Sequence, residues 1–568
     1  MDPVTAAEAV IAADAAHGDP AIWITRLSDD TIRENARILA AEGPRGRPLW
    51  GVPFAVKDNI DVAGLPTTAA CPAFTYTPSA HAPAVALLLA AGALLIGKTN
   101  LDQFATGLVG VRSPYGVPRN VFDPAYVPGG SSSGSACAVA AGIVSFALGT
   151  DTAGSGRVPA GLGNIVGLKP TIGSVSARGM VPACRSIDTI SVFARSVDEA
   201  MAVQRAIAVY DDADPYARPA PFPHLRRTAL PPSLRVKLAK IDGICTAQVT
   251  EVTRGVAKML GAETVDIAPF LDIARLLYDG PWVAERTAAL SGFLASHAED
   301  CFPVTRAILQ GGLQRRTVDA FDAFHKLAIA RRLAQQLFVE CDALLVPTAP
   351  FSPTLAELAA DPVGPNSRLG TFTNFVNLCD LAAIAIPAGF DAQGFPVGVT
   401  LIGPAWSEGR LAALADHIHR HSVHTVGATG HPLPLEAAPD PLAADETALF
   451  CVGGHMAGLP LNGQITALGG RFVREVSTAP LYRLSALGNR PGMRRVENDG
   501  AAIAGEVWAL PTTSIGALLA QVPQPLGFGT VELADGPCLG FLAEPAGLAG
   551  ALDITQYGGW RGWLAEGA

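Results

Sequence analysis

The sequence predicts an α/β fold in which helices cover a central sheet, followed by a smaller α+β domain. Strand-like and helix-like segments alternate along roughly the first 420 residues, which is typical of a layered α/β core. The chain has 568 residues, more than one ordinary hydrophobic core accommodates. Residues 425–442 have the proline-rich composition of a linker. We therefore predict a first domain over 1–428, a linker over 429–442 and a second domain over 443–568.

Turn residues and apolar periodicity locate the elements in chain order. Residues 5–42 predict two helices that are separated at Gly18-Asp-Pro20. Further helices of the first domain are predicted at 83–91, where a proline occupies the first turn, at 135–147 and at 410–421. Strands are predicted at 53–57, 94–97, 342–347 and 398–403 in the first domain, and at 449–452, 503–510 and 539–542 in the second.

The overall charge argues against nucleic acids and anionic membranes as partners. The formal net charge is −10 and no basic stripe is present, whereas both kinds of partner need a basic face. Two long runs carry no formal charge, 62–97 and 124–150. The first is interrupted by prolines and the second is dominated by Gly, Ala and Ser, so we expect buried helices and no membrane span.

Cysteine usage and the first residues indicate a reducing, cytoplasmic location. The nine cysteines are widely spaced, odd in number and form no C-x-x-C pair, so we expect no disulfide framework. The sequence begins Met-Asp-Pro-Val-Thr, which lacks the basic segment of a signal peptide.

A serine-rich segment, Gly129–Ser135, carries the first candidate chemistry. Its central part matches the G-x-S-x-G pattern of a nucleophile elbow, with Ser132 as the nucleophile. That interpretation requires a strand directly before the elbow, but residues 123–128 contain two prolines and make a poor central strand. We therefore favour a mechanism that combines this segment with motifs upstream and downstream.

Several ordered motifs resemble those of the amidase signature family. They are Gly51–Asn59, Gly97–Gln103, Gly129–Ser135, Gly149–Arg157 and Gly167–Thr171. The resemblance spans about 400 residues, so a chance match of a single short pattern does not explain it. It implies an open, mixed and largely parallel sheet covered by helices. It also implies a hydrolase that cleaves amide C–N bonds without a cofactor or metal.

The resemblance assigns roles to individual residues. It implies Ser155 as the nucleophile, Ser131 as a relay serine in a cis peptide and Lys57 as the base. It further implies that Asp151 and Arg157 support the site, and that an oxyanion is bound by backbone N–H groups of Thr152, Ala153, Gly154 and Ser155.

The residue types fit this chemistry. A serine hydroxyl is a poor nucleophile until a base takes its proton. A lysine is such a base only when burial or nearby positive charge lowers its pKa. Lys57 ends an apolar string, which is consistent with burial, and Lys169 or Arg157 would add repulsion. The alternative is that Lys57 is a solvated lysine at a strand end and that the serines belong to turns.

Two segments narrow the resemblance to allophanate hydrolases, Asn100–Gly116 and Tyr278–Arg286. This implies that Tyr278 and Arg286 bind the carboxylate of allophanate and that Gly130 also contacts the substrate. A guanidinium suits a carboxylate because two parallel N–H bonds fix both charge and orientation. The alternative is that Tyr278 belongs to the core and that Arg286 pairs with a neighbouring acid, Asp279 or Glu285.

The second domain resembles the C-terminal domain of allophanate hydrolases, which has a γ-glutamyl cyclotransferase-like fold. The resemblance lies in Val452–Asn462, where Val452–His455 replaces the tyrosine-glycine loop of cyclotransferases. No counterpart of the cyclotransferase glutamate is apparent in 511–523, so that activity is not expected. The resemblance implies decarboxylation of the first product, N-carboxycarbamate, with His455 as the candidate residue. The alternative is a docking module in which His455 is a turn residue.

These resemblances together imply an allophanate hydrolase that releases ammonia and N-carboxycarbamate, and then CO2. The alternatives are a malonamate- or indoleacetamide-type amidase and the amidotransferase subunit that acts with tRNA. The second domain and the negative net charge weigh against the tRNA case. The chain has no biotin-attachment Met-Lys-Met, so a urea carboxylase partner is expected to be a separate polypeptide. The family also implies a homodimer formed through the first domain.

One group of histidines has the spacing of a metal site. His417, His421 and His424 share a helical face, a spacing able to hold zinc. No cysteine accompanies them, and the nearest carboxylate, Asp416, is adjacent to His417 rather than one turn away. We therefore expect no metal here and no cofactor.

Overall fold

The computed structural model describes residues 2–566, which form two compact units. The first unit contains the chain up to Pro219 and resumes over Val236–Glu436. The second unit contains Ala220–Arg235 and the chain from Ala437 onward.

This division differs from the predicted boundaries because residues 220–235 leave the first unit and pack with the second. Thr228 Oγ1 donates a hydrogen bond of 2.8 Å to Phe472 O, and the Arg227 N–H donates to the Asp440 carboxylate at 2.7 Å. Local composition does not report such an excursion, since it is decided by partners more than 200 positions away. The larger segment of the second unit begins at Ala437, inside the predicted linker 429–442.

The first unit is built on a mixed sheet that has 11 strands in the described part of the chain. The strand order is β1-β3-β2-β4-β6-β5-β10-β11-β9-β7-β8. The bounds are β1 (Trp23–Arg26), β2 (Pro53–Lys57), β3 (Leu94–Thr99), β4 (Phe146–Asp151), β5 (Val166–Lys169), β6 (Thr189–Ala194), β7 (Val236–Ala239), β8 (Glu263–Val265), β9 (Ala343–Pro347), β10 (Leu381–Phe390) and β11 (Pro396–Pro404).

The predicted mixed α/β sheet is confirmed, but its strands are not mainly parallel. Within residues 2–566, four neighbouring pairs are parallel and six are antiparallel. One cause is local: β10 and β11 form a hairpin around the turn at Asp391–Gly394, and short connections of this kind force antiparallel pairing.

Helices cover this sheet. Their bounds are α1 (Pro3–His17), α2 (Asp29–Glu42), α3 (Pro83–Ala90), α4 (Ser133–Ala140), α5 (Val158–Leu162), α6 (Val197–Ile207), α7 (Ala247–Met259), α8 (Ala268–Arg275), α9 (Trp282–His297), α10 (Pro303–Gly312), α11 (Thr317–Glu340), α12 (Leu355–Ala360), α13 (Gly364–Leu369), α14 (Asn374–Leu378) and α15 (Glu408–Ser422).

Local signals explain several of these helix ends. The Asp2 side chain caps α1 and Gly18, at φ 61°, ends it, as the predicted break at Gly18 requires. Helix α4 ends at Ala140, earlier than predicted, because the chain turns at Gly142 (φ 74°) and enters β4. The uncharged run 124–150 thus supplies a buried helix and a buried strand. Among residues 2–566, no helix has both the length and the apolar character needed to cross a bilayer.

Parallel pairing of β2 with β4 positions the chemistry of the first unit. Phe54 and Phe146 stack with their ring centroids 5.3 Å apart, and both strands are buried along their whole length. Because the strands run in the same direction, Lys57 at the end of β2 and Asp151 at the end of β4 reach the same edge of the sheet.

The second unit has the predicted α+β architecture. A five-stranded sheet has the order β13-β16-β12-β18-β17, and a three-stranded sheet has the order β15-β14-β19. The bounds are β12 (Glu446–Cys451), β13 (Arg471–Ser477), β14 (Tyr482–Leu487), β15 (Arg490–Arg495), β16 (Ala504–Pro511), β17 (Leu526–Leu533), β18 (Gly536–Ala543), β19 (Leu552–Asp553), α16 (Asn462–Ala467), α17 (Ile515–Leu519) and α18 (Trp560–Glu566).

A buried ion pair in the second unit generates a stability prediction. Arg471 makes two hydrogen bonds to the Glu446 carboxylate, at 2.8 and 2.7 Å. Glu446→Ala should destabilise this unit by roughly 3 kcal/mol, because it leaves a buried guanidinium without its counter-charge. Chemical unfolding of the full chain measures the change. Replacement of the exposed Glu497 by Ala is the control, and equal stability of the two variants would contradict the prediction.

Candidate active site

Lys57 lies completely buried at the end of β2, close to two hydroxyl groups. Its Nζ is 2.7 Å from Ser131 Oγ and 2.7 Å from Thr150 Oγ1. Burial lowers the pKa of Lys57 to about 7, although the carboxylates of Asp102, Asp151 and Asp188 act in the opposite direction. The interpretation of Lys57 as a solvated surface lysine is therefore wrong. Near neutral pH a large fraction of this side chain is uncharged and able to accept a proton.

The predicted relay serine meets the lysine through an unusual backbone segment. The peptide bond between Gly130 and Ser131 is cis. Ser131 O accepts a hydrogen bond of 3.0 Å from the Asp102 N–H, and the Gly130 N–H donates to Leu108 O at 2.9 Å. A Cβ on Gly130 would lie 2.2 Å from Asp102 Oδ2, so only glycine fits at this position.

Asp151 organises the loop that carries Ser155. One carboxylate oxygen of Asp151 accepts the Gly154 N–H at 2.9 Å, and the other accepts the Gly156 N–H at 3.0 Å. Arg157 binds the same carboxylate with Nε and with a terminal nitrogen, both at 2.9 Å. Burial would raise the pKa of Asp151, but the Arg157 guanidinium keeps it below its ordinary value. The predicted supporting residues Asp151 and Arg157 thus lie directly beneath the Ser155 loop.

This arrangement decides which N–H groups of the Ser155 loop are already used by the protein. Gly154 is expected to donate to an oxyanion, but its N–H is already bound to Asp151, so this part of the expectation does not fit the structure. In the part of the chain that the structure describes, the N–H groups of Thr152, Ala153 and Ser155 meet no protein acceptor. Unpaired backbone donors in a tight turn are able to bind an anion. We call these three N–H groups the oxyanion cradle.

Two further residues contact this loop: Thr373, which directly precedes helix α14, and Asn377, which lies within it. The sequence motifs do not indicate either residue. Thr373 Oγ1 donates to Ala153 O at 2.6 Å, and Thr373 O accepts from Arg157 at 3.1 Å. Asn377 accepts from Arg157 at 3.0 Å and donates to Asp151 O at 2.8 Å. Both lie more than 200 positions from the loop, and neither belongs to a recognisable motif.

The elbow interpretation of Ser132 does not fit the geometry. The Ser132 side chain is fully buried, donates to Thr150 O at 3.2 Å and accepts the Thr150 N–H at 3.3 Å. The preceding residues 123–128 contain no strand. Ser132 therefore joins α4 to β4, and its hydroxyl is occupied by backbone groups.

A second polar group is formed by Tyr278 and Arg286. Arg286 is 1% exposed and lies on α9, and its Cζ is 5.5 Å from the centroid of the Tyr278 ring. One terminal nitrogen of Arg286 donates to Ala105 O at 3.0 Å and to Thr106 Oγ1 at 2.8 Å. Its Nε and its other terminal nitrogen have no hydrogen-bond partner in the described residues, and the buried Tyr278 hydroxyl has none either.

Arg286 also lacks an acidic partner. Among residues 2–566 it forms no salt bridge within 4.0 Å. Glu285, one of the two predicted alternatives, instead accepts hydrogen bonds of 2.8 Å from the N–H and the hydroxyl of Ser186. Burial raises the pKa of Tyr278, so its hydroxyl remains a donor. The pair therefore presents unused donors in a buried, positively charged place.

His455 lies in the second unit, at the loop after β12. Its Nε2 is 2.9 Å from Gln464 Oε1, and its ring stacks on Phe541 with the centroids 4.8 Å apart. Burial lowers the pKa of His455, so its ring is uncharged at neutral pH. The side chain is held in place by these two contacts.

The histidines near the end of α15 have the spacing of zinc ligands but contact one another instead. The rings of His417 and His421 have their centroids 4.2 Å apart, and His421 Nδ1 is 2.8 Å from His417 O. Over residues 2–566, no group of three or more His, Cys, Asp or Glu side chains has an arrangement able to hold a metal ion.

Comparison with known proteins identifies the family. The model of the Amidase family matches residues 7–412, which is more than half of the chain. The chain therefore belongs to the amidase family and is a hydrolase of amide C–N bonds. A second family model, described as the allophanate hydrolase C-terminal domain, matches residues 447–565. Both predicted resemblances are confirmed.

Individual relatives match nearly the whole length of this chain. The solved structure of an allophanate hydrolase from Kluyveromyces lactis is 39% identical and covers 100% of this chain and 97% of its own, with a TM-score of 0.79. The urea amidolyase of Saccharomyces cerevisiae is 42% identical over 95% of this chain, but this chain spans only 31% of that protein. The urea amidolyase of Lachancea kluyveri is likewise 42% identical, over 96% of this chain and 31% of its own length.

Removal of the lysine or the nucleophile tests the site. Lys57→Ala and Ser155→Ala should each reduce amide hydrolysis by about 10³-fold or more, because members of such a group act as a unit. Steady-state ammonia release measures the loss. Replacement of the exposed Lys240 by Ala is the matched control for the lysine. Full activity in either site variant would end the serine–serine–lysine assignment.

The acid limb of the pH profile should follow the Lys57 ionisation. Below its pKa of about 7 the lysine is protonated and cannot act as the base, whereas above it the lysine is neutral. We expect kcat/KM to rise with pH through about 7 and then to level off. A profile that stays flat between about pH 5.5 and 8 would show that Lys57 does not supply the base.

Proposed function

We propose that this chain hydrolyses allophanate, releasing ammonia and N-carboxycarbamate, which then loses CO2. The observation that carries the proposal is the buried Arg286 guanidinium, which has two unused nitrogens, a neighbouring unused Tyr278 hydroxyl and no acidic partner in the described chain. Asp188 acts on Arg286 electrostatically, but the two side chains form no ion pair within 4.0 Å among the described residues. A buried charge without a directly paired counter-charge is unfavourable. A substrate carboxylate would supply the missing charge and accept these hydrogen bonds.

We call Arg286 and Tyr278 the carboxylate anchor. One segment of chain, 102–112, connects this anchor with the relay serine Ser131. The Asp102 N–H donates to Ser131 O, and the Asp102 carboxylate accepts the N–H groups of Gly110 and Arg112, each at 2.9 Å. Arg112 in turn donates to Thr106 O at 2.9 Å, next to the Arg286 contact. This segment would hold the two ends of a short substrate at a defined separation, which favours a small anion over a long amide.

The proposed reaction begins with Ser155. Its hydroxyl attacks the terminal amide carbonyl of allophanate, and its proton passes through Ser131 to Lys57. The N–H groups of Thr152, Ala153 and Ser155 would bind the oxyanion that forms.

Collapse of this intermediate breaks the C–N bond, and the proton returns through Ser131 to the departing ammonia. Water then hydrolyses the acyl-enzyme by the same proton route, giving N-carboxycarbamate and free Ser155. We assign Gly130 a substrate contact through its carbonyl, because its N–H is already bound to Leu108 O.

For the second unit we propose decarboxylation of N-carboxycarbamate with His455 as the participating side chain. Its support is a half-buried, uncharged imidazole held by Gln464 and stacked on Phe541. We further propose that allophanate is supplied by a urea carboxylase and that the chain acts as a homodimer in the cytoplasm.

The anchor is tested by substrate selectivity. Arg286→Ala should lower kcat/KM for allophanate by about 10²- to 10³-fold, because a charge-paired hydrogen-bonded anchor is lost. Hydrolysis of acetamide, which has no carboxylate, should change little. Replacement of the exposed Arg315 by Ala is the matched control. An equal loss on both amides, or no loss on allophanate, would discard the allophanate assignment while leaving an amidase.

The role of His455 is tested by product stoichiometry. His455→Ala should leave the first ammonia release unchanged and slow the release of CO2 and of the second ammonia. Stopped-flow detection of both products separates the two steps, and His431→Ala is the control. Unchanged CO2 release would favour the docking-module alternative, which predicts instead that loss of the second unit abolishes co-purification with a urea carboxylase.

A further inference from the structure

The buried carboxylate of Asp188 has no role in the proposed reaction. It nevertheless contacts both the loop that carries the oxyanion donors and the loop that is bound to the helix of Arg286. Asp188 is 4% exposed and directly precedes β6. It influences the pKa of Lys57, and its own pKa is influenced by Arg286. The Asp188 side chain therefore lies near both the base and the carboxylate anchor.

On one side, Asp188 holds the oxyanion cradle. Thr152 Oγ1 donates to Asp188 Oδ1 at 2.5 Å. Thr152 is the first residue of the loop that carries the unpaired N–H donors. The neighbouring Thr189 Oγ1 donates to Asp151 O at 3.1 Å, so the start of β6 is attached to the loop at two places.

On the other side, Asp188 closes the loop that contacts the helix of Arg286. The Asp188 carboxylate accepts the N–H of Ala183 at 2.8 Å and that of Cys184 at 3.0 Å. The Cys184 thiol donates to Trp282 O at 3.5 Å, in the first turn of α9. Burial raises the pKa of the Cys184 thiol to about 12, and the nearby Arg286 guanidinium acts in the opposite direction.

A further contact strengthens this second attachment. Ser186 lies between Cys184 and Asp188 and donates through both its N–H and its hydroxyl to Glu285, the residue before Arg286. The loop 183–188 is therefore bound to α9 at two places, through Trp282 and through Glu285.

We propose that Asp188 is a positioning residue that sets the distance and orientation of the oxyanion cradle relative to the Arg286 anchor. This inference rests on the proposed function, because only a substrate with a carboxylate uses both halves. Allophanate is short, so its carboxylate end and its reacting carbonyl must fit both places at once. Misplacement by about 1 Å is enough to cost roughly 10²-fold in rate.

The charge state of Asp188 is consistent with this role. Burial raises the pKa of Asp188 to about 6, while its hydrogen bonds from Thr152 and Cys184 act in the opposite direction. At neutral pH the carboxylate is ionised, and both oxygens accept hydrogen bonds from the two loops.

The test uses Thr152→Val, Thr152→Ser, Asp188→Asn and the double variant Thr152→Val with Asp188→Asn in the full chain. Thr152→Val keeps the side-chain shape but removes the hydroxyl that Asp188 accepts. It should lower kcat about 10- to 100-fold on both allophanate and acetamide and leave KM unchanged. Thr152→Ser retains the hydroxyl and should restore kcat to within about 3-fold of the parent.

Asp188→Asn should lower kcat similarly on both amides and, in addition, raise KM about 10-fold for allophanate only, because acetamide does not use the anchor. The double variant should be no slower than Asp188→Asn alone, because both substitutions remove the same hydrogen bond between Thr152 and Asp188. Wild-type kcat in Thr152→Val, or multiplied losses in the double variant, would overturn the proposal. If Asp188→Asn fails to fold, the Thr152→Val and Thr152→Ser pair still tests the attachment of the cradle to Asp188, and wild-type kcat in Thr152→Val still overturns the proposal.

Failure of the proposed function can be distinguished from failure of the role of Asp188. It would appear as absence of allophanate hydrolysis in the parent chain, or as an Arg286→Ala variant with normal activity on allophanate. The cradle is then tested without the natural substrate, by the rate at which a sulfonyl fluoride sulfonylates Ser155, followed by intact mass. Equal labelling rates in the parent and in Thr152→Val would also overturn the role of Asp188.

Discussion

The site depends on the burial of one lysine without a carboxylate partner. Three fully buried lysines of the first unit show what this means. Lys98 forms an ion pair with Asp58 at 3.1 Å, and Lys169 donates to the carbonyls of Pro170 and Leu381. Among the described residues, Lys57 contacts the hydroxyls of Ser131 and Thr150 and forms no ion pair. Its burial is therefore relieved mainly by loss of its proton, which makes it a base near neutral pH.

The loop that carries Ser155 depends instead on a buried charge that is fully paired. The Asp151 carboxylate is buried too, but the Arg157 fork and the N–H groups of Gly154 and Gly156 satisfy it. These bonds use the N–H groups of two alternate residues, Gly154 and Gly156. In the described part of the chain the N–H groups of Thr152, Ala153 and Ser155 have no protein acceptor, and they are the donors that we propose for an oxyanion.

The first unit thus contains four buried ionisable groups in three different situations. Asp151 and Arg157 pair with each other, Lys57 contacts hydroxyl groups, and Arg286 has two nitrogens without a hydrogen-bond partner in the described residues. We propose Lys57 as the base and Arg286 as the group that binds an anion. Arg286 and the Ser155 loop are linked through the segment that contains Asp102 and through the loop that contains Asp188. Selectivity for a short anionic amide would follow from this rigid connection rather than from the nucleophile itself.

Local sequence determined the parts of the site that depend on neighbouring residues. The apolar strand before Lys57, the glycines around Ser131 and the Asp151–Arg157 spacing each require only a few adjacent positions, and the structure contains them as expected. Tertiary structure alone decided the contacts of Thr373 and Asn377, the use of the Gly154 N–H by Asp151, the antiparallel majority in the sheet and the excursion of 220–235 into the second unit. It also decided that Arg286 is buried with two nitrogens that have no hydrogen-bond partner in the described residues. The physical reason is that desolvation and pairing depend on groups brought together from distant positions, whereas spacing and turn chemistry act within a few residues.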